Sequence, residues 1–196
     1  MAFNSLHFIV FLIVVYAGAM AFRRTVGARN AILLLASYYF YACWDWRFLS
    51  LILISTGIDY FCGRNLALTK EQRDDDDAIH TKRRRAFLLL SLITNLGLLG
   101  VFKYLGFFVD STIELLNAIG VQANESTLRI VLPVGISFYT FQTLSYTIDI
   151  YRGRIATEKS LLNFALFVAF FPQLVAGPIE RASHLLPQLG NQRLFY

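Results

Sequence analysis

Tyr139, Gln142, Tyr146 and Asp149 stand in an otherwise apolar run at spacings of i, i+3, i+7 and i+10, with Ser137 just before them. On a helix that spacing gathers the four on one face. A membrane span ordinarily avoids such groups, because an ionisable side chain at bilayer depth costs at least ~2.5–3.5 kcal/mol. The face therefore needs a polar cavity or a protein neighbour. Three kinds of chemistry fit it: lining a substrate channel, orienting a catalytic group supplied elsewhere, or bonding to other helices at roughly 0.6–2 kcal/mol per hydrogen bond. Ser137, Tyr139, Gln142, Tyr146 and Asp149 are expected to face an internal cavity. Arg152, three residues after Asp149, is the expected ion-pair partner.

The other reactive residue types are less concentrated. His7 opens the first apolar block, His80 lies between an acidic and a basic run, and His184 precedes Leu185-Leu186-Pro187. None sits inside a long apolar segment beside a polar partner, so none has the base-and-orienter arrangement that acid–base catalysis needs. The run Asp74-Asp75-Asp76-Asp77 could offer oxygen ligands to a divalent cation, but nothing fixes its geometry, and a solvated loop is the simpler reading. Cys43 and Cys62 lack metal-ligand spacing and read as packing residues. No phosphate loop, nucleophile elbow or metal pair is present, so no bound cofactor and no metal are expected.

The elements that must carry these residues are hydrophobic. Of 196 residues, 56% are hydrophobic and 16% are charged, against about 25% charged in soluble domains. Apolar blocks occupy roughly residues 5–22, 30–44, 48–68, 86–108, 130–151 and 160–177. The fold class expected is all-α, a polytopic transmembrane helical bundle of about five spans plus a broken or re-entrant segment. It forms one membrane domain over 1–196. Trp44-Asp45-Trp46-Arg47 separates blocks two and three as an interfacial turn, making them a helical hairpin.

Charge sets the orientation. Arg23, Arg24 and Arg29 follow block one; Arg64, Lys70, Arg73 and Lys82 to Arg85 follow block three; Arg152, Arg154 and Lys159 follow block five. These loops fall on one side, which the positive-inside rule makes cytoplasmic, with the N-terminus external and the location the inner (plasma) membrane. Residues 69–85 form a charged cytoplasmic loop, and about 109–129 an external one holding the Asn124-Glu125-Ser126 glycosylation pattern. The net charge of +5 is thus explained by topology, and the partner is the lipid bilayer, not nucleic acid.

The last block is interrupted by Pro172 and closed by Gly177-Pro178, which break a helical ladder. Such backbone is tolerated at membrane depth only when buried in protein or lining a cavity. Pro172, Gln173, Gly177 and Pro178 are expected to shape a re-entrant wall of the cavity.

The runs Leu132 to Gly153 and Phe164 to Ile179, with Leu35 to Trp44 and Phe102-Lys103-Tyr104, closely resemble the membrane-bound O-acyltransferase family. The nearest branch is that of alginate O-acetyltransferases. The resemblance covers the whole chain in order, and implies a many-helix membrane enzyme that passes acyl groups to an acceptor hydroxyl. In its full form such an enzyme takes acetyl from a cytoplasmic donor and delivers it to an exopolysaccharide hydroxyl outside, alongside partner proteins of the O-acetylation machinery. The family's hallmark histidine lies in its C-terminal half. This chain resembles the N-terminal portion, so no catalytic residue is assigned on it. Two other readings are a non-catalytic membrane scaffold of a polysaccharide machine and a small transporter using the same polar stripe.

Overall fold

Long apolar runs without period-2 alternation favour helices, and helices are what form. The computed structural model describes residues 5–67, 78–120, 135–177 and 180–190. Among these lie seven helices and no strand: α1 (Leu6–Ala21), α2 (Val26–Leu66), α3 (Ala78–Ala118), α4 (Ile136–Tyr151), α5 (Leu161–Ala169), α6 (Phe171–Ala176) and α7 (Ala182–Gly190). Ser5 starts α1 by accepting a hydrogen bond from the Phe8 N–H at 3.2 Å, a side-chain cap for one of the first turn's orphan donors.

α2 is two arms. Its helical path breaks at Asp45, whose φ of −159° and ψ of 118° are extended, and the Asp45 carboxylate accepts from the Arg47 N–H at 2.9 Å. That bond caps the second arm as it begins. Both arms return to one end of the bundle. Asn30 on the first donates to Asn163 at 2.9 Å, and the Tyr60 hydroxyl on the second donates to the Lys159 carbonyl at 2.6 Å. The hairpin expected across Trp44 to Arg47 is present. α1 runs back along the first arm, where Phe11 meets Phe40 at 6.1 Å and Gly18 lies against Ile32.

α3 runs antiparallel to the second arm, pairing Arg83 with Asn65 and Ser91 with Asp59. α4 lies against both, buried along most of its length. At their shared end, Arg84 donates to the Tyr151 carbonyl at 2.7 Å and the Leu66 carbonyl at 3.3 Å, and its guanidinium sits 4.9 Å from the Tyr151 ring centroid. One cation thus closes the C-termini of α2 and α4, where helix dipoles favour positive charge.

Three expected boundaries move. The charged segment 69–85 is already helical from Ala78, and α3 continues through residues 109–118, which were expected to be external loop. Asp74 to Asp77 and Asn124 to Ser126 lie outside the described residues. Thirdly, length limits the spans. The stretch Thr81–Tyr104, 24 residues, is the one described helix long and apolar enough to cross a membrane by length and composition. α1 and α4 have 16 residues each, below the ~17–25 of a span. Among the described residues, what stands is an all-helical bundle with one helix both long and apolar enough to cross a membrane.

The broken final segment has a clear form. α5 has nine residues, about 14 Å of helix, against about 30 Å of hydrocarbon. The chain turns at Phe170 (φ −59°, ψ 103°) into α6. α7 then packs beside residues 155–158, which lead into α5. The segment therefore enters and leaves at the same end of the bundle.

Candidate functional site

Two faces of α4 carry polar groups, and each meets a different neighbour. The first is the expected one. Turning at Phe170 costs the helix a hydrogen bond, because the Phe171 N–H can no longer reach the Phe167 carbonyl. Gln142 supplies the missing donor, its Nε2 lying 2.7 Å from the Phe167 oxygen. The Ser37 hydroxyl supplies the missing acceptor to the Phe171 N–H at 3.3 Å, while itself donating to the Leu33 carbonyl. Gln142 also donates to Gln173 Oε1 at 3.3 Å. Pro172, with no N–H, suits the first turn of α6 and is exposed. Gly177 closes that helix, its N–H donating to the Gln173 carbonyl at 3.0 Å.

The rest of the face is distributed along the same side. Tyr146 is fully buried, its ring 4.6 Å from that of Phe164, its hydroxyl accepting from the Glu158 N–H at 3.0 Å. Tyr139 is buried beneath the surface, and Ser137 is half-buried. Asp149 pairs with Arg154 at 3.5 Å rather than with Arg152. The reason is local: Gly153 adopts a φ of +68°, which glycine alone accepts freely, and the reversed chain brings the Arg154 N–H to the Asp149 carbonyl at 2.8 Å. Pro178 lies outside the described residues.

The second face was not anticipated. Thr143 and Thr147 reach Asn95 and Ser91 of α3, beside which Asp59 of α2 is fully buried. Ser91 donates to Asp59 Oδ1 at 2.6 Å, and Asn95 Nδ2 reaches both carboxylate oxygens at 2.9 and 2.8 Å. Ser55 lies 3.2 Å from Oδ2 and 2.8 Å from the Asn95 carbonyl oxygen, to which Thr143 also donates at 3.2 Å. Thr147 is 3.2 Å from the Ser91 hydroxyl. The sequence does hold a signal for this centre. Ser55 and Asp59, Ser91 and Asn95, and Thr143 and Thr147 are three i, i+4 polar pairs in three separate apolar segments.

A third polar group ties the end of the bundle. Arg29 and Asn30, both buried, donate to the Leu189 carbonyl at 2.9 Å each. They therefore hold the C-terminus of α7 beneath α5, a favourable place for a cation. Beside it, a cavity of about 390 Å³ opens between residues 155–158 and α7, lined by Ile155, Glu158, Ser183, Leu186 and Pro187.

Four buried hydroxyls among the described residues have no hydrogen-bond partner: Tyr41, Thr56, Tyr139 and Thr140. Leaving such a group unmet costs about 1–3 kcal/mol, so they are the polar atoms with most to gain from a ligand or a further side chain. The two histidines whose side chains are described are peripheral. His7 is exposed, 3.5 Å from the Tyr39 hydroxyl, and His184 is exposed, 3.0 Å from Glu180. The side chain of His80 lies outside the described residues. Cys62 is buried as a packing residue, whereas Cys43 is exposed.

No protein-family model matches the chain, and no solved structure matches it at a significant level. Curated relatives do. The chain is 38% identical over 98% of its length to the probable alginate O-acetylase AlgI of Pseudomonas aeruginosa, covering 35% of that protein. It is 36% identical over the same share to its namesake from Azotobacter vinelandii, covering 36%. It is 34% identical over 84% of its length to the peptidoglycan O-acetyltransferase of Helicobacter pylori, covering 34%. The chain thus spans about a third of the length of the curated relatives it matches. This continuous likeness, together with an all-helical bundle built around the motifs in Leu132 to Gly153 and Phe164 to Gly177, assigns the chain to the membrane-bound O-acyltransferase family, in its alginate O-acetylase branch.

Proposed function

We propose that this chain forms part of a membrane-embedded O-acetyltransferase that delivers acetyl groups to hydroxyls of an exopolysaccharide of the alginate kind. The observation that carries the reading is the likeness to the Pseudomonas aeruginosa alginate O-acetylase over 98% of the chain. Acyl transfer to a hydroxyl needs a base for the acceptor and donors for the developing oxyanion. On this reading the described helices act as the frame that positions such groups. Ser137, Tyr139, Gln142, Tyr146 and Asp149 on α4, and Pro172, Gln173, Gly177 and Pro178 beyond it, form the wall nearest the acyl-transfer path.

Several features support the arrangement. Arg23, Arg24, Arg64, Arg83 to Arg85, Arg152 and Arg154 collect at the end of the bundle where Arg84 closes α2 and α4. Placing that end in the cytoplasm of an inner-membrane protein puts the N-terminus outside. The cavity beside α7 then opens toward a cytoplasmic acetyl donor. The bend at Asp45, flanked by Trp44 and Trp46, lies at the opposite, external interface. The arms of α2 and the short helices α1 and α4 cross as a packed group around α3, in several passes, and proteins of the O-acetylation machinery dock outside.

A chimera tests the enzyme reading. The matching segment of the Pseudomonas aeruginosa alginate O-acetylase is replaced by this chain and expressed in a strain lacking the original gene. Acetylation of the secreted alginate should be restored to within several-fold. A chimera present in the membrane at the normal level that leaves the alginate unacetylated would overturn the proposal.

A further inference from the structure

We propose that Asp59, Asn95 and Ser91 form a binding site for one monovalent alkali cation, with sodium as the ion their oxygens suit. The inference is independent of the acetyl-transfer reading. It begins with a buried carboxyl group that has no basic partner. Asp59 is fully buried, with partners on α2, α3 and α4. Its hydrogen-bond partners among the described residues are neutral: Ser55, Ser91, Asn95 and Thr143. No basic side chain pairs with it among the described residues, whose ion pairs involve Asp149 and Glu180. A carboxylate that stays ionised at such depth needs a paired charge or a coordinated metal.

The groups around it are those of a hard-cation site. Carboxylate, carbonyl and hydroxyl oxygens suit hard cations; no imidazole joins them, and the one sulfur nearby, the Cys62 thiol beside Asp59 and Ser91, is a soft group that such ions do not prefer. A single carboxylate sets the charge of the ion. No cluster of three or more His, Cys, Asp or Glu side chains exists among the described residues, so a divalent ion would leave excess positive charge in the core. A monovalent ion leaves none.

The network can also open for the ion without losing its own bonds. At present the Asn95 amide donates to Asp59 and to the Ser91 carbonyl at 3.0 Å, while its oxygen accepts from Ser55 and Thr143. A half-turn of the carboxamide exchanges the two ends. Ser55 can then donate to Asp59 Oδ2, 3.2 Å away, and Thr143 to the Thr140 carbonyl, 3.1 Å away. Both hydroxyls are left free to accept from the turned amide nitrogen. The Asn95 oxygen then stands where its nitrogen was, close to both Asp59 oxygens and the Ser91 carbonyl, and a cation bridging the Asp59 carboxylate, the Asn95 carboxamide, and the Ser91 hydroxyl and backbone offsets the repulsion among these oxygens.

The test is thermal unfolding of the purified chain in mild detergent, in sodium chloride, potassium chloride and choline chloride at equal ionic strength. Binding to the folded state raises its melting temperature as the ion concentration passes its dissociation constant. The wild-type chain should melt several degrees higher in sodium than in choline, and Asp59→Asn should lose that difference. Identical wild-type melting in sodium and choline would overturn the site, and is the result expected if a proton alone neutralises Asp59. So would a sodium effect that survives in Asp59→Asn. If that variant does not fold, Ser91→Ala decides: its half-saturating sodium concentration should rise several-fold, and an unchanged value refutes the proposal.

Discussion

Replacing Gly63 by alanine should destabilise the bundle, although alanine is the better helix former. A Cβ built there would stand 2.7 Å from Tyr146 Cε1, 3.1 Å from its hydroxyl oxygen and 3.3 Å from Cζ, against ~3.5–4.0 Å for comfortable carbon contacts. The ring has little room to retreat. Phe164 lies 4.6 Å away and Phe167 6.3 Å away, centre to centre, and the hydroxyl is tied to the Glu158 N–H. Overpacking a tight core costs about 1–3 kcal/mol, and a contact this short against a ring held on several sides belongs in the upper part of that range. Removing a helical glycine returns about 0.8–1.0 kcal/mol, so the net loss is about 1–2 kcal/mol. At ~2–4 °C per kcal/mol for a chain of this size, the melting temperature in detergent should fall by roughly 2–8 °C. Gly57→Ala is the control, since nothing lies within 4 Å of its Cβ, and should melt at or above wild type. In a Tyr146→Leu background the Gly63→Ala penalty should shrink, the non-additivity expected of residues in contact. Gly63→Ala melting at or above wild type would refute the packing argument.

Two further outcomes are expected. Gln142→Leu strips the donor from the Phe167 carbonyl, so it should cost about 1–3 kcal/mol in thermal unfolding and lower acetylation by the chimera. Phe141→Leu, at a 47% exposed neighbour, should change stability by less than about 0.5 kcal/mol; equal effects of the two substitutions would deny the broken helix its dependence on Gln142. In a chain with both cysteines changed to serine, Arg47→Cys should react with an impermeant maleimide in intact spheroplasts and Arg152→Cys only in inverted vesicles. The opposite pattern would reverse the orientation.

The helices were legible because their apolar runs are long, and the bend at Asp45 because two tryptophans and a charge interrupt one. Residues 109–118 were less so. Asp110 and Glu114 suggest solvent, yet both suit an exposed helix surface, and α3 simply continues. The Gln142 face could be read from its spacing, but its partner could not. Gln142 binds a backbone carbonyl 25 residues away, and only the turn at Phe170 frees that atom. Asp59 is harder to read, because its i, i+4 pair with Ser55 is one of three such pairs and nothing in the sequence says that the three meet. Its meaning emerges when Ser55, Ser91, Asn95 and Thr143 converge from other turns and helices. Arg154 replaced Arg152 at Asp149 because helical spacing stops applying once Gly153 reverses the chain.

The broken segment also fixes an order of assembly. A stretch that inserts early must satisfy its own backbone, as α3 can over Thr81–Tyr104. The α5–α6 segment cannot, because its exposed carbonyl at Phe167 and its N–H at Phe171 are met by Gln142 from α4 and Ser37 from α2. Both side chains must already be in place before those two atoms can leave water. The broken segment is therefore a late arrival, packed against helices that precede it in the chain. A slip in the packing of α2 against α4 would then surface first as a protease-sensitive 161–176 segment, well away from the fault itself.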